Sequence, residues 1–422
     1  MAAKAFTRIR RAYVEVAARA NVPAMLIDHR SEPPRTADLA VVGGGIVGAA
    51  TAFHAARAGL EVVILERRPA LASLTTAAAA GGFRLQLDDE EEYRLIRESV
   101  ELFLSFEEAT GQRQFDPRVR LQGYVWLTTS DEGAQRQRRL VEAQRGWGLD
   151  DVELLTGDEV RKQLPFVGED VIQARLRRAD GLLDPRGLSL GLAAGASSPV
   201  VTRCDVTGFG VRGGRLVSVE TSLGLVSTPA AVIAGGPLSG IVAASAGVDL
   251  PIETVRRQKL VMPEVPEVPP DAPMVIDDDT GAHWRPALRG AFLLFTDPTT
   301  PPSPPAEEVP TDSALAFQLL DPASPQAVAR VSPFWRAVWE RDDAQWMLQA
   351  GQYTMTPDRR PLIGPTAIDG LYVNTGYSGR GVMGGPAGSR HLIDLVTGKL
   401  RPEENPFRLD RDFTERPRLD PL

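Results

Sequence analysis

The sequence of 422 residues predicts an α/β fold, with α+β character overall, because a strand followed by glycines recurs at three places. The first place is a βαβ unit at residues 37–66. The second is an apolar strand at residues 230–237 that ends in two glycines and a proline. The third, at residues 371–396, is a strand, a glycine-rich loop and a helix. A complete βαβ unit is the signature of an α/β domain.

The first of these stretches has every part of a dinucleotide-binding motif in register. An apolar run is followed by Gly43, Gly45 and Gly48, then by a helix over Ala49–Ala58 and a second apolar run that ends at Glu66. Gly43 permits a tight turn, Gly45 lets a pyrophosphate approach the backbone, and Gly48 lets the helix pack closely on the strand. The helix N-terminus binds phosphate, and a carboxylate after the second strand accepts both ribose hydroxyls. This unit is therefore predicted to bind a dinucleotide.

Between the first and third stretches the patterns are less specific. Small residues over 73–82 would let the backbone pass close to a flat ring system. An acidic amphipathic helix is predicted over 88–110, and hairpin strands at 200–206 and 216–221 flank a pair of glycines. Four aromatic residues over 334–346 have helical spacing, which favours a helix that packs them in a core.

The third stretch again joins glycines to a helix N-terminus. The strand Leu371–Gly376 leads into a loop that ends at Gly385, and Pro386 suits the first turn of a helix that runs to about Val396 and is capped by Gly398. A nicotinamide enzyme has no evident need of this second site. A flavin has such a need, because reduction can place negative charge near its N1 and O2 atoms and a helix N-terminus stabilises that charge.

Composition excludes several classes of protein. The only cysteine, Cys204, rules out a disulfide framework and cysteine-based metal clusters, and the sequence contains no other metal-binding constellation. A net charge of −8 provides no basic field that would recruit nucleic acid or acidic lipid. Neither a long apolar run nor a signal-peptide pattern is found, so we expect a cytoplasmic protein without a transmembrane segment.

Four ordered motifs together resemble the D-amino acid oxidase family of flavoproteins. They are the βαβ unit, the strand at 230–237, the Thr356-Pro357-Asp358 segment and the loop Gly376–Gly381. Within the family the chain is most similar to glycine oxidase, sarcosine oxidase and the β-subunits of sarcosine and proline dehydrogenases. The resemblance covers residues 37–410. It implies an FAD-binding domain of the glutathione-reductase type and a substrate domain built on an antiparallel sheet, with the flavin between them.

The resemblance also implies a division of the chain into domains. The FAD-binding domain is expected to combine residues 37–110, 181–250 and 346–422, and the substrate domain to combine residues 111–180 and 251–345. Residues 1–36 precede both domains and are expected to form an amphipathic extension, because apolar residues recur there at helical spacing.

FAD is the cofactor that the resemblance implies, and the residues expected to bind it lie in or beside the glycine motifs. They are Gly43, Gly45, Ile46, Val47, Gly48, Glu66, Arg67, Arg68, Thr75, Thr76, Gly82, Val206, Ala234, Gly235, Gly236, Gly351, Gly379, Arg380, Gly381, Val382 and Met383. Several relatives attach FAD through a cysteine or a histidine. Here Gly351 stands at the position of that cysteine, residues 73–82 contain no histidine, and Cys204 is expected on a distant hairpin strand. FAD is therefore expected to be bound non-covalently.

The substrate implied by the resemblance is an amine or amino acid, such as an N-substituted glycine, whose C–N bond is oxidised to an imine that hydrolyses. Arg84 matches, by its distance from Tyr93, an arginine that binds the substrate carboxylate in sarcosine oxidases, and a guanidinium has the two-pronged geometry that a carboxylate needs. Arg380 follows the glycine loop, where many relatives have histidine. His283 lies on the strand expected to cover the flavin, and Lys259 is a candidate for drawing oxygen to it.

Other interpretations remain open at this level. Met383 occupies the position of a carboxylate-binding lysine in sarcosine oxidases, which favours a substrate that is larger than sarcosine or differently anchored. Arg84 could form a structural ion pair, and His283 could be a packed side chain. The electron acceptor is oxygen or another molecule, so a D-amino acid or imino acid dehydrogenase and an FAD-carrying subunit of a larger complex are alternatives. The βαβ unit alone would also fit a nicotinamide dehydrogenase.

Overall fold

The computed structural model describes residues 27–414, which form twenty strands and eleven α-helices. The amphipathic stretch predicted near the N-terminus lies largely outside these residues. The strands are β1 (Asp28–Arg30), β2 (Leu39–Val42), β3 (Val62–Glu66), β4 (Gly82–Phe83), β5 (Tyr124–Thr128), β6 (Glu153–Thr156), β7 (Gln173–Arg177), β8 (Gly181–Leu182), β9 (Pro199–Thr202), β10 (Val206–Arg212), β11 (Arg215–Thr221), β12 (Gly224–Ser227), β13 (Ala231–Ile233), β14 (Glu253–Met262), β15 (Met274–Asp277), β16 (His283–Ala287), β17 (Gly290–Leu294), β18 (Met347–Met355), β19 (Leu362–Pro365) and β20 (Leu371–Thr375). The α-helices are α1 (Ile46–Arg57), α2 (Thr75–Ala78), α3 (Glu90–Leu104), α4 (Phe106–Thr110), α5 (Asp131–Gly146), α6 (Gly157–Gln163), α7 (Pro185–Ala196), α8 (Ser239–Ala244), α9 (Ala314–Leu320), α10 (Trp335–Trp339) and α11 (Gly381–Val396).

A seven-stranded sheet contains the predicted βαβ unit, in the order β1-β9-β3-β2-β13-β20-β19. Its neighbouring strands are parallel, except that β19 and β20 are antiparallel. The helices α1, α7 and α11 pack together on one face, and the three-stranded sheet β10-β11-β12 packs on the other. Both faces of β2 and β3 are therefore buried, which is why each strand is a continuous apolar run.

An eight-stranded sheet forms the other half of the fold, in the order β18-β14-β17-β16-β15-β5-β7-β6. All its pairs are antiparallel except β5 with β15. Successive side chains of β16 point to opposite faces: Trp284 is fully buried in a core with α9 and α10, whereas His283 faces a cavity between the two large sheets. The predicted α/β fold with an antiparallel second sheet is thus confirmed. Among residues 27–414, no helix has the length and apolar character needed to cross a bilayer.

The prediction that residues 200–206 form a hairpin strand is wrong. The strand β9 lies parallel to β3 in the seven-stranded sheet, and the hairpin is formed by β10 and β11. Both segments are short apolar runs, and the choice between their possible partners depends on contacts that are distant in sequence.

Three helical features also differ from their predicted form. The acidic helix expected over 88–110 is interrupted at Ser105, which separates α3 from α4. The helix α11 begins at Gly381, so Pro386 lies inside it, because the glycine-rich loop itself forms the first turn. Trp346 lies outside α10, and both Trp346 and Trp339, the last residue of α10, are exposed rather than packed in a core.

Two strands pair in sheets that the expected division of the chain into domains did not predict for them. The strand β1, from the expected N-terminal extension, pairs with β9 at the edge of the seven-stranded sheet. The strand β18, expected in the FAD-binding domain, pairs with β14 over nine residues of each strand and is an edge strand of the eight-stranded sheet. The chain therefore passes between the two halves at β18.

The Thr356-Pro357-Asp358 segment is held by a buried ion pair. Both Asp358 and Arg411 have side chains that are 5% exposed, and two hydrogen bonds of 2.8 and 2.9 Å join them. The carboxylate also accepts hydrogen bonds from the Thr356 hydroxyl and the Arg360 N–H. Although burial favours the neutral acid, these bonds lower the pKa of Asp358. The pair fixes the turn after β18 to the C-terminal segment.

We expect Arg411→Ala to lower the free energy of unfolding by ~3 kcal/mol or more, because it leaves Asp358 buried without its counter-charge. Urea denaturation at pH 7 measures the change. Because the pKa of Asp358 is lowered in the folded state, the stabilisation is present at neutral pH and should be lost as the pH falls below the ordinary aspartate value of about 3.9.

The matched control is Arg408→Ala, since Arg408 pairs with Asp410 on the surface, where both side chains are largely exposed. This change should cost no more than ~1 kcal/mol. Equal destabilisation by the two substitutions would contradict the assignment of Asp358 and Arg411 as the pair that anchors this turn.

Candidate active site

An elongated site lies between the two large sheets, beyond the carboxyl ends of β2, β3 and β13. It consists of two cavities of about 310 Å³ and about 780 Å³. The cavities adjoin each other, because five residues line both of them: Ile46, Thr75, Thr76, Ser378 and Gly381. In open α/β sheets the crevice beyond the carboxyl ends of the strands is the usual position of a ligand.

Almost all the residues predicted to bind the cofactor line this site. The smaller cavity is lined by Gly43, Gly45, Ile46, Val47, Glu66, Arg67, Arg68, Thr75, Thr76, Val206, Ala234, Gly235, Gly236 and Gly381. The larger cavity is lined by Gly82, Gly351, Gly379, Arg380, Gly381, Val382 and Met383. Gly48 lines neither cavity.

Gly43 and Gly48 are required by the packing of the backbone. A Cβ atom on Gly48 would lie 1.9 Å from the carbonyl oxygen of Gly43, and a Cβ atom on Gly43 would lie 2.5 Å from the carbonyl oxygen of Ala234. Gly43 also has a φ angle of +114°, which residues with a side chain rarely adopt. The turn after β2 can approach both α1 and β13 only because these two positions lack side chains.

Two helix N-termini open onto the site. The helix α1 begins after Gly45 and α11 begins after Arg380, and neither has a capping side chain or an acidic residue in its first turn. In contrast, side chains cap the other long helices that the structure describes, α3, α5 and α7. The Thr76 hydroxyl accepts the first N–H of α1, that of Ile46, whereas the next N–H groups of α1, the first N–H groups of α11 and the positive ends of both dipoles remain available to negatively charged groups.

Glu66 lies in the smaller cavity at the end of β3. Its two carboxylate oxygens accept hydrogen bonds from the N–H groups of Gly44 and Arg68, at 2.6 and 2.7 Å. Burial raises the pKa of the Glu66 carboxyl, while the two N–H groups favour its ionised form. Beside it, Arg67 and Arg68 form ion pairs with Glu307 at 3.0 and 3.1 Å, so the segment around Glu307 lies against this end of the site.

The cysteine lies closer to the site than the sequence analysis expected. The N–H of Cys204 donates to the carbonyl oxygen of Glu66 at 3.0 Å, and Cys204 lines the smaller cavity beside Val206. Burial raises the pKa of its thiol, which favours the unreactive neutral form. Arg84 lines only the larger cavity, so Cys204 and Arg84 lie at opposite ends of the site.

The small-residue segment 73–82 crosses the middle of the site. The Thr76 hydroxyl accepts a hydrogen bond from the N–H of Ile46, the first residue of α1, at 3.2 Å. The Thr75 hydroxyl donates a hydrogen bond to the carbonyl oxygen of Gln352 at 3.2 Å. A Cβ atom on Gly351 would lie 3.0 Å from the methyl group of Ala78. Small residues on the segment and a glycine on β18 thus allow two backbones to lie close together next to the cavity.

All four residues predicted to act on the substrate line the larger cavity. Arg84 is buried; it donates a hydrogen bond to the carbonyl oxygen of Gln86, and its guanidinium lies 5.0 Å from the centre of the Trp126 ring. His283 is also buried, and its Nδ1 atom is hydrogen-bonded to the carbonyl oxygen of Gly281 at 2.8 Å.

Lys259 is a buried cation on the cavity face of β14. Its ammonium donates to the carbonyl oxygen of Ala79 at 3.2 Å and lies 4.3 Å from the centre of the Phe292 ring. Burial, reinforced by the nearby charge of Arg285, lowers the pKa of Lys259 to about 8.

Arg380 lies next to the glycine loop as predicted, but its charge is shared with two carboxylates. Its guanidinium lies 3.7 Å from Glu92 and 4.0 Å from Asp88, and all three side chains are buried. These contacts tie the loop before α11 to the start of α3. Arg380 is therefore less available to bind a substrate carboxylate than the sequence analysis supposed.

Four polar residues that sequence reasoning did not single out as site residues also line the larger cavity: Tyr124, Tyr353, Arg257 and Arg359. Burial raises the pKa of both tyrosines, so their phenols remain protonated at neutral pH. The alternation of side chains along β5, β14 and β18 determines which residues share a face of the sheet. It shows which face borders the cavity only once the register of the eight-stranded sheet is known.

The arrangement fits FAD in shape and in chemistry. Two uncapped helix N-termini suit the pyrophosphate and an electron-rich flavin ring, Glu66 suits a ribose, and the small-residue segment leaves room for a flat ring. Among residues 27–414, no group of three or more histidine, cysteine, aspartate and glutamate side chains is placed to hold a metal ion.

Comparison with known proteins agrees with this geometry. The family described as FAD dependent oxidoreductase, DAO, matches residues 38–395. Human mitochondrial sarcosine dehydrogenase is 27% identical over 407 residues, which cover 91% of this chain and 43% of that protein. Sarcosine oxidase subunit beta of Rhizobium meliloti is 29% identical over 398 residues, which cover 90% of this chain and 89% of that protein.

Solved structures show the same architecture. The crystal structure of L-proline dehydrogenase from P. horikoshii has a TM-score of 0.75 and 25% identity, and the match covers 87% of this chain and 95% of that chain. The chain spans less than half the length of the human and mouse sarcosine dehydrogenases that it matches. The match to the family covers most of the chain and includes all four motifs that carried the predicted resemblance, which is confirmed. The chain therefore belongs to the DAO family of FAD-dependent oxidoreductases.

Proposed function

We propose that this protein uses FAD to oxidise the C–N bond of an amino acid or secondary amine to an imine, which hydrolyses to a carbonyl compound and a smaller amine. The observation that carries the proposal is the position of Arg84, a buried guanidinium that lines the cavity adjoining the FAD-type site. An N-substituted glycine is the first candidate, because its carboxylate lies one carbon from the bond to be oxidised. The names of the sarcosine dehydrogenase and sarcosine oxidase relatives support this choice.

When bound, FAD supplies the hydride acceptor for this chemistry. The role of the protein is to bind the amine and to orient it. Arg84 would hold the carboxylate through two N–H donors, with its guanidinium held by the Trp126 ring. The protonated phenols of Tyr124 and Tyr353 would offer hydrogen bonds to the same molecule.

The charges around the larger cavity would also favour the reactive form of the amine. An amine can transfer hydride from its α-carbon only when its nitrogen carries a free lone pair. Nearby cations oppose protonation of a bound amine, and Arg84, Arg257 and Lys259 all line the cavity. No side chain would then need to act as a strong base.

The electron acceptor is proposed to be oxygen, and Lys259 is the residue that supports this choice, since a cation stabilises the negative charge that develops on reduced oxygen. The alternative is a dehydrogenase, or an FAD-carrying subunit, that passes electrons to a partner protein. Phe317 and Trp339 are exposed, and their ring centres lie 6.1 Å apart; this aromatic pair would suit contact with such a partner. Release of one hydrogen peroxide for each amine oxidised supports the oxidase, and turnover with an artificial acceptor but without peroxide supports the dehydrogenase.

Arg84→Ala should raise the apparent KM for N-substituted glycines by roughly 10- to 100-fold, because a charge-assisted contact to the carboxylate is lost. It should leave the KM for the matching amine without a carboxylate nearly unchanged. Steady-state kinetics with N-methylglycine and N-ethylmethylamine would measure both effects. An equal effect on the two amines would remove Arg84 from the substrate site.

Acid precipitation of the purified protein should release all of its flavin into the supernatant. The physical reason is that Cys204 lies at the Glu66 end of the site and that neither Gly351 nor residues 73–82 offer a cysteine or a histidine near the other end. Absorbance of the supernatant and of the redissolved pellet measures the partition. Flavin that stays with the pellet would contradict non-covalent binding.

The rate of the reaction with oxygen should fall as the pH rises through about 8, because the lowered pKa of Lys259 makes it lose its charge there. Lys259→Met should slow this reaction by ~10-fold or more at pH 7 and remove its pH dependence. Lys259→Arg should retain most of the rate, and anaerobic reduction by the amine should change little in either variant. An unaltered oxygen rate in Lys259→Met would exclude the proposed role.

A further inference from the structure

The face of the eight-stranded sheet that borders the larger cavity carries an excess of positive charge. Residues that lie opposite each other in adjacent strands point to the same face of a sheet. The strand register therefore places five basic residues on the face that borders the cavity: Arg175, Arg177, Arg257, Lys259 and Arg285. Only one acidic residue of the strands, Glu253, shares this face. Of the five, Arg177 is neutralised by Asp151 and Asp180.

Aromatic rings hold several of these cations. The guanidinium carbons of Arg84 and Arg175 lie 5.0 and 4.7 Å from the centre of the Trp126 ring. The centre of the Phe292 ring lies 4.3 Å from the Lys259 ammonium and 4.5 Å from the Arg285 guanidinium. A ring attracts a cation but does not cancel its charge. Burial without a counter-charge lowers the pKa of Lys259 to about 8 and that of Arg285 to about 10. Lys259 and Arg285 therefore contribute positive charge to this face of the sheet.

Arg257 is the member of this group that lies farthest from Arg84 in the strand order. It lies on β14 opposite Gly351, with its guanidinium 5.8 Å from the centre of the Tyr353 ring, whereas Arg84 contacts Trp126 on β5, four strands away. Among the described residues, no carboxylate lies within ion-pair distance of Arg257, and Asp297 acts on it only from farther away. Both arginines line the same cavity, so they offer two separate positions for anions.

Arg359 adds a second cation beside Arg257, on a turn that is rigidly held. Burial and, to a lesser degree, the charge of Arg359 lower the pKa of Arg257, and both residues line the cavity. The backbone of Arg359 has a φ angle of +60°, which is strained for a residue with a side chain and persists only where the surroundings fix it. The anchoring pair Asp358 and Arg411 lies next to it, and the Ser378 hydroxyl donates to its carbonyl oxygen at 3.2 Å.

A substrate with one carboxylate, bound at Arg84, would leave Arg257 without a carboxylate at ion-pair distance. Buried charge without a partner is costly, and a second carboxylate on the substrate would relieve that cost at Arg257. A guanidinium pairs with a carboxylate through two hydrogen bonds.

We propose that Arg257, with Arg359 beside it, forms a second anion-binding subsite, and that the substrate is an amino acid or secondary amine that carries two carboxylates. This inference rests on the proposed amine oxidation and specifies its substrate class. Arg84 binds the carboxylate next to the C–N bond, and Arg257 binds the second one, which is carried either on the other nitrogen substituent or on an acidic side chain.

The test uses two thioethers that cannot undergo C–N oxidation and that differ by one carboxylate: methylthioacetate and 2,2′-thiodiacetate. Their dissociation constants are measured with the FAD-loaded protein from the perturbation of the flavin absorbance. Thiodiacetate should bind about tenfold more tightly or better. Arg257→Gln should remove that advantage and leave the binding of methylthioacetate within about twofold, Arg359→Gln should reduce it in part, and Arg84→Gln should weaken both ligands.

Arg256→Gln is the matched control, because Arg256 is the neighbour of Arg257 on β14, points to the other face and lies 3.8 Å from Asp312 near the surface. It should alter the binding of neither ligand. Arg257→Lys, which keeps the charge, should retain part of the thiodiacetate preference if Arg257→Gln fails to bind FAD.

Equal binding of the two thioethers by the unaltered protein, or an equal loss for both in Arg257→Gln, would overturn the proposal of a second subsite. In that case N-substituted glycines would still reduce the flavin, and the proposed function would stand. If no amine reduces the flavin, the proposed function fails, and with it the assignment of a dicarboxylic amine as the substrate, whatever the thioethers show.

Discussion

The close approach of two backbone turns at the end of the seven-stranded sheet is the constraint on which the site depends. The turn after β2 lies so near β13 and α1 that Gly43 and Gly48 have no room for a Cβ atom. This packing places the uncapped N-terminus of α1 at the mouth of the crevice, and the equivalent turn before α11 places a second one close by. Neither helix has a capping side chain at its N-cap position, so N–H groups of each first turn can bind a ligand.

The eight-stranded sheet supplies the charge that the seven-stranded sheet lacks. Its cavity face carries basic residues, several of which lie against aromatic rings, and two of these, Arg257 and Lys259, line the larger cavity. Elsewhere the same chain neutralises buried arginines fully, as Asp358 does for Arg411 and Asp89 for Arg360. The contrast is informative, because a small anionic molecule in the larger cavity could supply the counter-charge that Arg257 lacks.

Local sequence patterns were sufficient for the parts of the site that depend on short-range geometry. The βαβ unit, Glu66 at the end of β3 and the glycine loop before α11 could all be predicted, because each needs particular residue types within a few positions of one another. Arg84 was found through a resemblance, by its distance from Tyr93, and not through a local motif. Arg257, Tyr124 and Tyr353 were missed because their common position depends on the register of strands that are far apart in the sequence.

The same limit explains the errors in the fold. Residues 200–206 form an apolar run that would suit a hairpin or a parallel sheet equally well, and only the packing against β3 decides between them. The strand β18 joins the sheet of β14, although β19, which follows the Thr356-Pro357-Asp358 turn, belongs to the seven-stranded sheet. Pairings of this kind depend on non-local contacts, which local propensity does not encode.

The most direct test of the central claim is an anaerobic titration of the FAD-loaded protein with N-substituted glycines, followed by visible absorbance. Amine oxidation at this site predicts that the bands of the oxidised flavin are bleached in proportion to the amine added, and that a carbonyl compound and a smaller amine are formed in equal amounts. Flavin bands that remain unchanged with every mono- and dicarboxylic amine tested would contradict the account.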